Sequence, residues 1–131
     1  MEEVYDFLNK AGTFFLATEE GNQPRVRPFG VVNIFEGKLY IQTGRKKNVA
    51  KQISKNPFVE ICTMNNGKWI RVSGELIDDN RVEAKKSMLD AHKELRKIGY
   101  DENDENTEVL YFKNAIATIS SFTEDPKVIK F

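Results

Sequence analysis

The chain has 131 residues, 40% of them hydrophobic, which suits one domain (1–131) that buries about two-thirds of its unfolded surface. Twenty basic and twenty acidic residues cancel, so the basic excess expected of a general nucleic-acid binder is missing. A single cysteine, Cys62, and a single histidine, His92, exclude an internal disulfide and a Cys-based zinc centre, and give poor support to a Ser-His-Asp relay.

Met1-Glu2-Glu3 is acidic and lacks the apolar core of a signal peptide, and no apolar run approaches membrane-spanning length, so a cytoplasmic setting without a membrane partner is expected. Val4, Phe7, Leu8 and Ala11 recur at helical spacing, and Gly12 is placed to end that helix. Phe14 to Thr18 reads as a short strand, Glu19-Glu20-Gly21-Asn22 as a turn, and Pro24 to Phe35 as one longer strand. Within it Arg25 and Arg27 project to the same face, because strand side chains alternate. Two such charges either face solvent or share an anion or carboxylates. Lys38 to Thr43 follows the Glu36-Gly37 turn as a hairpin partner, with Leu39, Ile41 and Thr43 on one face.

Thr43-Gly44-Arg45-Lys46-Lys47-Asn48 leads into a helix that Asn56-Pro57 stops. Three cations thus stand where a helix begins, the end whose partial positive charge and unpaired N–H groups favour anions. Either the turn is solvated, or a phosphate satisfies amides and cations together, with the Thr43 hydroxyl donating to it or capping the helix.

Phe58 to Met64 and Lys68 to Leu76 are strands joined by Asn65-Asn66-Gly67, a strong hairpin signal. Trp69 and Arg71 share one face of the second of these, opposite Ile70, Val72 and Leu76. There the indole stacks on a planar ligand, fills a subunit contact or lids the barrel. Cys62 reads as a small hydrophobe. Asp78-Asp79-Asn80 is expected to cap a second helix, whose Ala84, Met88, Ala91, Leu95 and Ile98 form a continuous apolar stripe read as core packing. His92, among Lys93, Glu94 and Arg96, is expected at the exposed surface. Asp101 to Asn106 reads as a solvated loop without the glycine and spacing of a calcium-binding EF-hand loop, so no metal is assigned. Glu108 to Phe122 returns as strand, with a turn or bulge at Lys113-Asn114. No Walker A or dinucleotide-binding glycine motif occurs. The fold class is mainly β with helices (α+β), an antiparallel barrel with two or three flanking helices.

Together these segments resemble the pyridoxamine 5′-phosphate oxidase-like family of FMN-binding split barrels. The resemblance is carried by Phe14-Phe15-Leu16-Ala17-Thr18, Pro24-Arg25-Val26-Arg27-Pro28-Phe29 and Gly37 to Thr43. Lys47-Asn48-Val49, the Asn56-Pro57 stop, Trp69 to Gly74 and Val109 to Ala117 complete it, the last looking like small stress-protein-like and nitroimidazole-reductase-like members. It implies a six-stranded antiparallel split barrel of Greek-key type and a homodimer with FMN in clefts between subunits. By position, Arg25 and Arg27 would approach the flavin or its phosphate, and Thr43, Arg45, Lys46 and Lys47 would hold the phosphate. Trp69 and Arg71 would reach the cleft from the partner subunit, and Arg27 or Arg71 near the ring would stabilise its anionic reduced form. The implied activity passes electrons from a reduced nicotinamide to a small organic acceptor. Alternatives are a flavin sensor or store without turnover, or a barrel using deazaflavin or haem. Two departures narrow the expectation. Gln42 stands where nitroimidazole-reductase-like relatives tend to carry histidine. Asp125 to Phe131 lacks the Arg- and His-rich substrate-phosphate set of the vitamin-forming oxidases, which argues against pyridoxamine phosphate oxidation.

Overall fold

The structure, a computed structural model, describes all 131 residues. Its elements run α1 (Glu2–Ala11), β1 (Phe14–Glu20), β2 (Gln23–Phe29), β3 (Val32–Phe35), β4 (Lys38–Gly44), α2 (Asn48–Lys55), β5 (Phe58–Asn65), β6 (Lys68–Asp78), α3 (Val82–Ala91), α4 (Glu94–Lys97), β7 (Thr107–Ser121) and β8 (Lys127–Lys130). All pairings are antiparallel, in the order β2-β1-β5-β6-β7-β4-β3. The first half of β7 pairs with β4, and its second half with β8.

Strict alternation decides what lies inside. Phe14 and Leu16, Leu39 and Ile41, Ile61, and Ile70 and Val72 are all fully buried, and each pair is two residues apart. They belong to one cluster of 19 residues that Val4 and Leu8 of α1 and Val49 and Ile53 of α2 close. Each large apolar side chain so buried contributes about 1.5–3 kcal/mol. The interior is side chain throughout, which pushes any ligand site to the outside of the barrel.

The sheet has eight strands rather than the expected six. One addition is β8, which the sequence pattern does not announce. The other arises because Pro24 to Phe35 is divided: β2 pairs with β1, β3 with β4, and these are the two ends of the sheet. The chain must step across the open seam at Gly30-Val31, and this crossing is the split of the barrel. The bulge expected at Lys113-Asn114 is present. Asn114 has φ 52°, and the β6–β7 register shifts between Ser73 and Glu75. The Asn66-Gly67 turn takes the two positive φ values its sequence invites.

The second helical region differs from its pattern. Asp79 does not cap α3. The helix begins at Val82 after Arg81, and Asp79 instead accepts the Tyr40 hydroxyl at 2.7 Å and the Arg81 guanidinium at 2.9 Å. The Arg81 contact, ahead of the Tyr40 hydroxyl, holds the Asp79 pKa down at about 2, against the cost of burial. This pair pins the start of α3 to β4, above a small cluster of Tyr40, Ala84, Met88 and Val109. The apolar stripe is not one helix, because His92 leaves helical geometry at the end of α3. His92 is not at the open surface either: its side chain is 15% exposed, and Nε2 lies 2.8 Å from the Val32 carbonyl oxygen. Leu95 therefore falls on a separate short helix, α4, and Ile98 just beyond it, 71% exposed.

Candidate functional site

A cavity of about 250 Å³ lies at the seam, where the β2–β3 crossing meets the end of β4, the start of α2 and the α4 region. Arg27, Gln42, Thr43 and Lys47 give it a polar, cationic side, while Val31, Val49, Leu95 and Ile98 give an apolar one, with Tyr100 between. The large exposure of Ile98 is explained by this position. Sequence reasoning assigned the end of the stripe to the core, since a helical period says which residues share a face but not what the face meets.

Each cation of the basic turn has its own environment. Arg45 is committed within the chain: Nη1 donates to Asp78 at 2.6 Å and to Glu108 at 2.7 Å, and Nη2 donates to Asp78 and Asn80. It lines a different hollow, between α2 and β6–β7. Lys46 is exposed, and its backbone N–H donates to Asn106 Oδ1 at 3.0 Å. Lys47 is the residue before the first turn of α2, which has no side-chain cap and no acidic residue. No protein acceptor takes a hydrogen bond from the Lys46 or Lys47 ammonium. The loop read as merely solvated braces this turn, because the Asn106 carbonyl also accepts the Arg45 N–H at 2.7 Å.

Arg27 reaches the cavity from β2, and its guanidinium donates to Thr18 Oγ1 at 2.6 Å and Gln52 Oε1 at 2.5 Å. Burial, then the Arg25 charge, lowers its pKa. Arg25 itself is exposed and paired with Glu20 at 2.9 Å, away from the cavity. Trp69 and Arg71 lie on the outer face of β6, in a separate concavity with Glu60 and Ile116. The indole packs on Phe122 with ring centroids 5.1 Å apart. Within one chain, then, the structure brings together Arg27, Thr43 and Lys47. It leaves Arg25, Arg45, Lys46, Trp69 and Arg71 outside that cavity.

Two buried polar groups were not legible as such. Gln42 is 7% exposed, and its Oε1 has no hydrogen-bond partner. An orphaned buried acceptor costs about 1–3 kcal/mol. Glu108 is 6% exposed, and burial, reinforced by the Asp78 charge, pushes its pKa up to about 7 despite Arg45.

The architecture defines a split β-barrel protein whose candidate site is the cavity at the seam. The chain belongs to the pyridoxamine 5′-phosphate oxidase family, whose sequence model matches residues 1–119. It is similar to a NimC/NimA family protein from Clostridium acetobutylicum, with 44% identity over 100% of this chain and 92% of that one, at a TM-score of 0.96. General Stress Protein 26 from Bacillus anthracis shares the fold at 16% identity and a TM-score of 0.78, covering 99% of this chain and 97% of that one. So does a putative pyridoxamine 5′-phosphate oxidase from Listeria innocua, at 14% identity and a TM-score of 0.66, covering 98% and 96%. No curated protein matches. No helix is long and apolar enough to cross a membrane.

Proposed function

We propose that this protein is a cytoplasmic, homodimeric FMN-binding oxidoreductase that passes electrons from a reduced nicotinamide to a small organic acceptor. The observation that carries the reading is one cavity with two chemically distinct sides. Lys47, Thr43, Arg27 and the uncapped start of α2 suit a phosphate, while Leu95, Ile98 and Tyr100 suit a planar apolar ring. The Gln42 carboxamide, which lines the same cavity, gives a ligand a further polar partner. Bound FMN supplies reversible two-electron chemistry. Arg27 and Lys47 hold and orient it, and their positive charges favour the electron-rich state.

Flavin is favoured over haem because His92, the only histidine, already has Nε2 against the Val32 carbonyl. The homodimer is supported by the outer face of the sheet. There Val26 and Met64 are 69% and 64% exposed, beside Phe15, Ile116 and Val128. Cavity size points the same way, since about 250 Å³ falls below the roughly 300–1,000 Å³ usual for ligand sites. A second subunit would complete the cleft, and its outer-face Trp69 and Arg71 are the residues assigned to do so. Arg25, Arg45 and Lys46 then act around the site rather than in it.

The test is titration of the flavin-free protein with FMN, followed by quenching of flavin fluorescence. Loss of a charged hydrogen bond of about 1.5–3 kcal/mol predicts that Lys47→Ala weakens binding roughly tenfold to 150-fold. Equal affinity in a folded variant would remove Lys47 from the site, and no binding by the unaltered protein would end the flavin reading. Oxidation of reduced nicotinamide by the loaded protein, with an added quinone or nitroaromatic acceptor, separates an enzyme from a store.

A further inference from the structure

We propose that Gln42 is the residue through which this protein senses the redox state of its flavin, by hydrogen-bonding the polar edge of the ring with an amide that the fold leaves free to turn. The inference rests on the flavin reading of the seam cavity and adds to it a specific role.

Gln42 lies on β4 between Ile41, which points into the barrel, and Thr43 at the strand end. It shares its face with Tyr40, two residues earlier, and pairs across the sheet with Val109. The two polar side chains on that face are treated differently by the fold. The Tyr40 hydroxyl donates to Asp79 at 2.7 Å. Gln42, buried to the same class and lining the cavity, has an Oε1 with no partner.

A second buried glutamine sharpens the contrast. Gln52 Oε1 accepts from Thr18 at 2.6 Å and Arg27 at 2.5 Å, and its Nε2 donates to Glu20 at 3.3 Å. Its amide is fixed at both ends. Gln42 has no such fixing partners, so nothing in the chain selects one orientation of its amide. For folding alone, an apolar side chain of equal length would serve better there, since it would leave no buried acceptor unpaired.

A carboxamide offers one acceptor and two donor hydrogens on a single rotatable group. A flavin ring presents carbonyl and N–H groups along one edge, and a central ring nitrogen that accepts a hydrogen bond when oxidised and donates one when reduced. Few side chains can complement both states of such an edge. Gln42 does so by rotation: it donates N–H to the oxidised ring, and accepts with Oε1 from the N–H that reduction creates. The two electrons and the ring proton come from the reductant and solvent, and Gln42 gains and loses no proton. It acts as a positioning and tuning residue.

The experiment compares FMN-loaded wild-type protein with Gln42→Met, which keeps length and loses both polar ends, and Gln42→Glu, which keeps acceptors and adds negative charge. FMN affinity is measured by fluorescence quenching, and the midpoint potential by equilibration with a reference dye, without turnover. The expected result is that Gln42→Met, which loses donor and acceptor together, binds oxidised and reduced FMN each about tenfold more weakly, while Gln42→Glu, whose charge opposes the electron-rich ring, lowers the ratio of affinities for reduced and oxidised flavin tenfold or more, about 30 mV in a two-electron couple. Flavin-free Gln42→Met should also melt at a higher temperature than wild type. If Gln42→Met binds both oxidised and reduced FMN within threefold of wild type, the role of Gln42 is overturned while the flavin site stands. If wild type binds no FMN, the flavin reading fails and takes this inference with it.

Discussion

Replacing Glu108 with glutamine separates the charge of the cluster beneath the basic turn from its hydrogen bonds. Glu108 Oε2 accepts from Arg45 Nη1 at 2.7 Å, Oε1 has no partner, and the side chain is 7% exposed. Burial and then the Asp78 charge raise its pKa from an ordinary 4.5 to about 7. The folded chain thus holds this proton more tightly than the unfolded chain does. The contribution to stability is full below about 4.5 and is lost as pH rises through about 7. At 1.36 kcal/mol for each pH unit between those values, the loss is on the order of 3 kcal/mol. Glutamine keeps an acceptor for Arg45 and removes the titration. Urea unfolding, read by Trp69 fluorescence from pH 5 to pH 9, should show wild type losing roughly that much stability relative to Glu108→Gln. Parallel curves for the two proteins across the whole range would refute the reasoning.

Two further outcomes test the fold and the assembly. A Cβ added at Gly74 would lie 3.1 Å from Ala115 Cα and 3.2 Å from the Lys113 carbonyl, both backbone atoms. Gly74→Ala should therefore cost about 1–3 kcal/mol in urea unfolding, and an unchanged midpoint would show that the β6–β7 bulge is plastic. Met64→Asp, on the exposed apolar outer face, should convert a dimer to a monomer in sedimentation velocity with the circular dichroism retained; a wild-type protein already monomeric at micromolar concentration would remove that face as a subunit contact.

Most of the barrel was legible because its strands obey a period of two and its turns carry their own chemistry. Asn66-Gly67 specifies a hairpin, and Ile70 and Val72 against Trp69 and Arg71 specify which face is buried. What escaped depends on contacts distant in sequence. Nothing local marks Gly30-Val31 as the step between two sheet edges, since that follows from which strands β2 and β3 pair with. Leu95 still packs against the cluster around Tyr40, whereas Ile98 lies outside the core; the break at His92, whose ring meets the Val32 carbonyl sixty residues away in the chain, is not marked locally. Of the predicted site residues, the fold brings Arg27, Thr43 and Lys47 to one cavity. The partners of Arg45 come from β6 and β7, and the missing partner of Gln42 is visible only once its surroundings are known.

The basic turn also shows why three adjacent cations need not do the same work. A lone ammonium at a helix start is mobile and weakly placed, because its long side chain and flexible turn have many conformations. Here Arg45 is drawn down by Asp78 and Glu108, and Asn106 accepts both the Arg45 and Lys46 backbone N–H groups. Four contacts from two other parts of the chain thus fix the turn while leaving the Lys46 and Lys47 ammonium groups unpaired. The argument that misplaced charge implies an absent anion therefore fails for Arg45 and rests on Lys47, which lines the cavity. One cation neutralises the buried Glu108 and the exposed Asp78 and sets the geometry, and the Lys47 charge is presented at the seam beside an uncapped helix. Because the anchor contains a carboxyl whose pKa lies near 7, the rigidity of that turn is itself tied to pH. Protonating Glu108 weakens its hold on Arg45 but relieves the cost of burying its charge, so stability and turn order should move in opposite directions as pH falls.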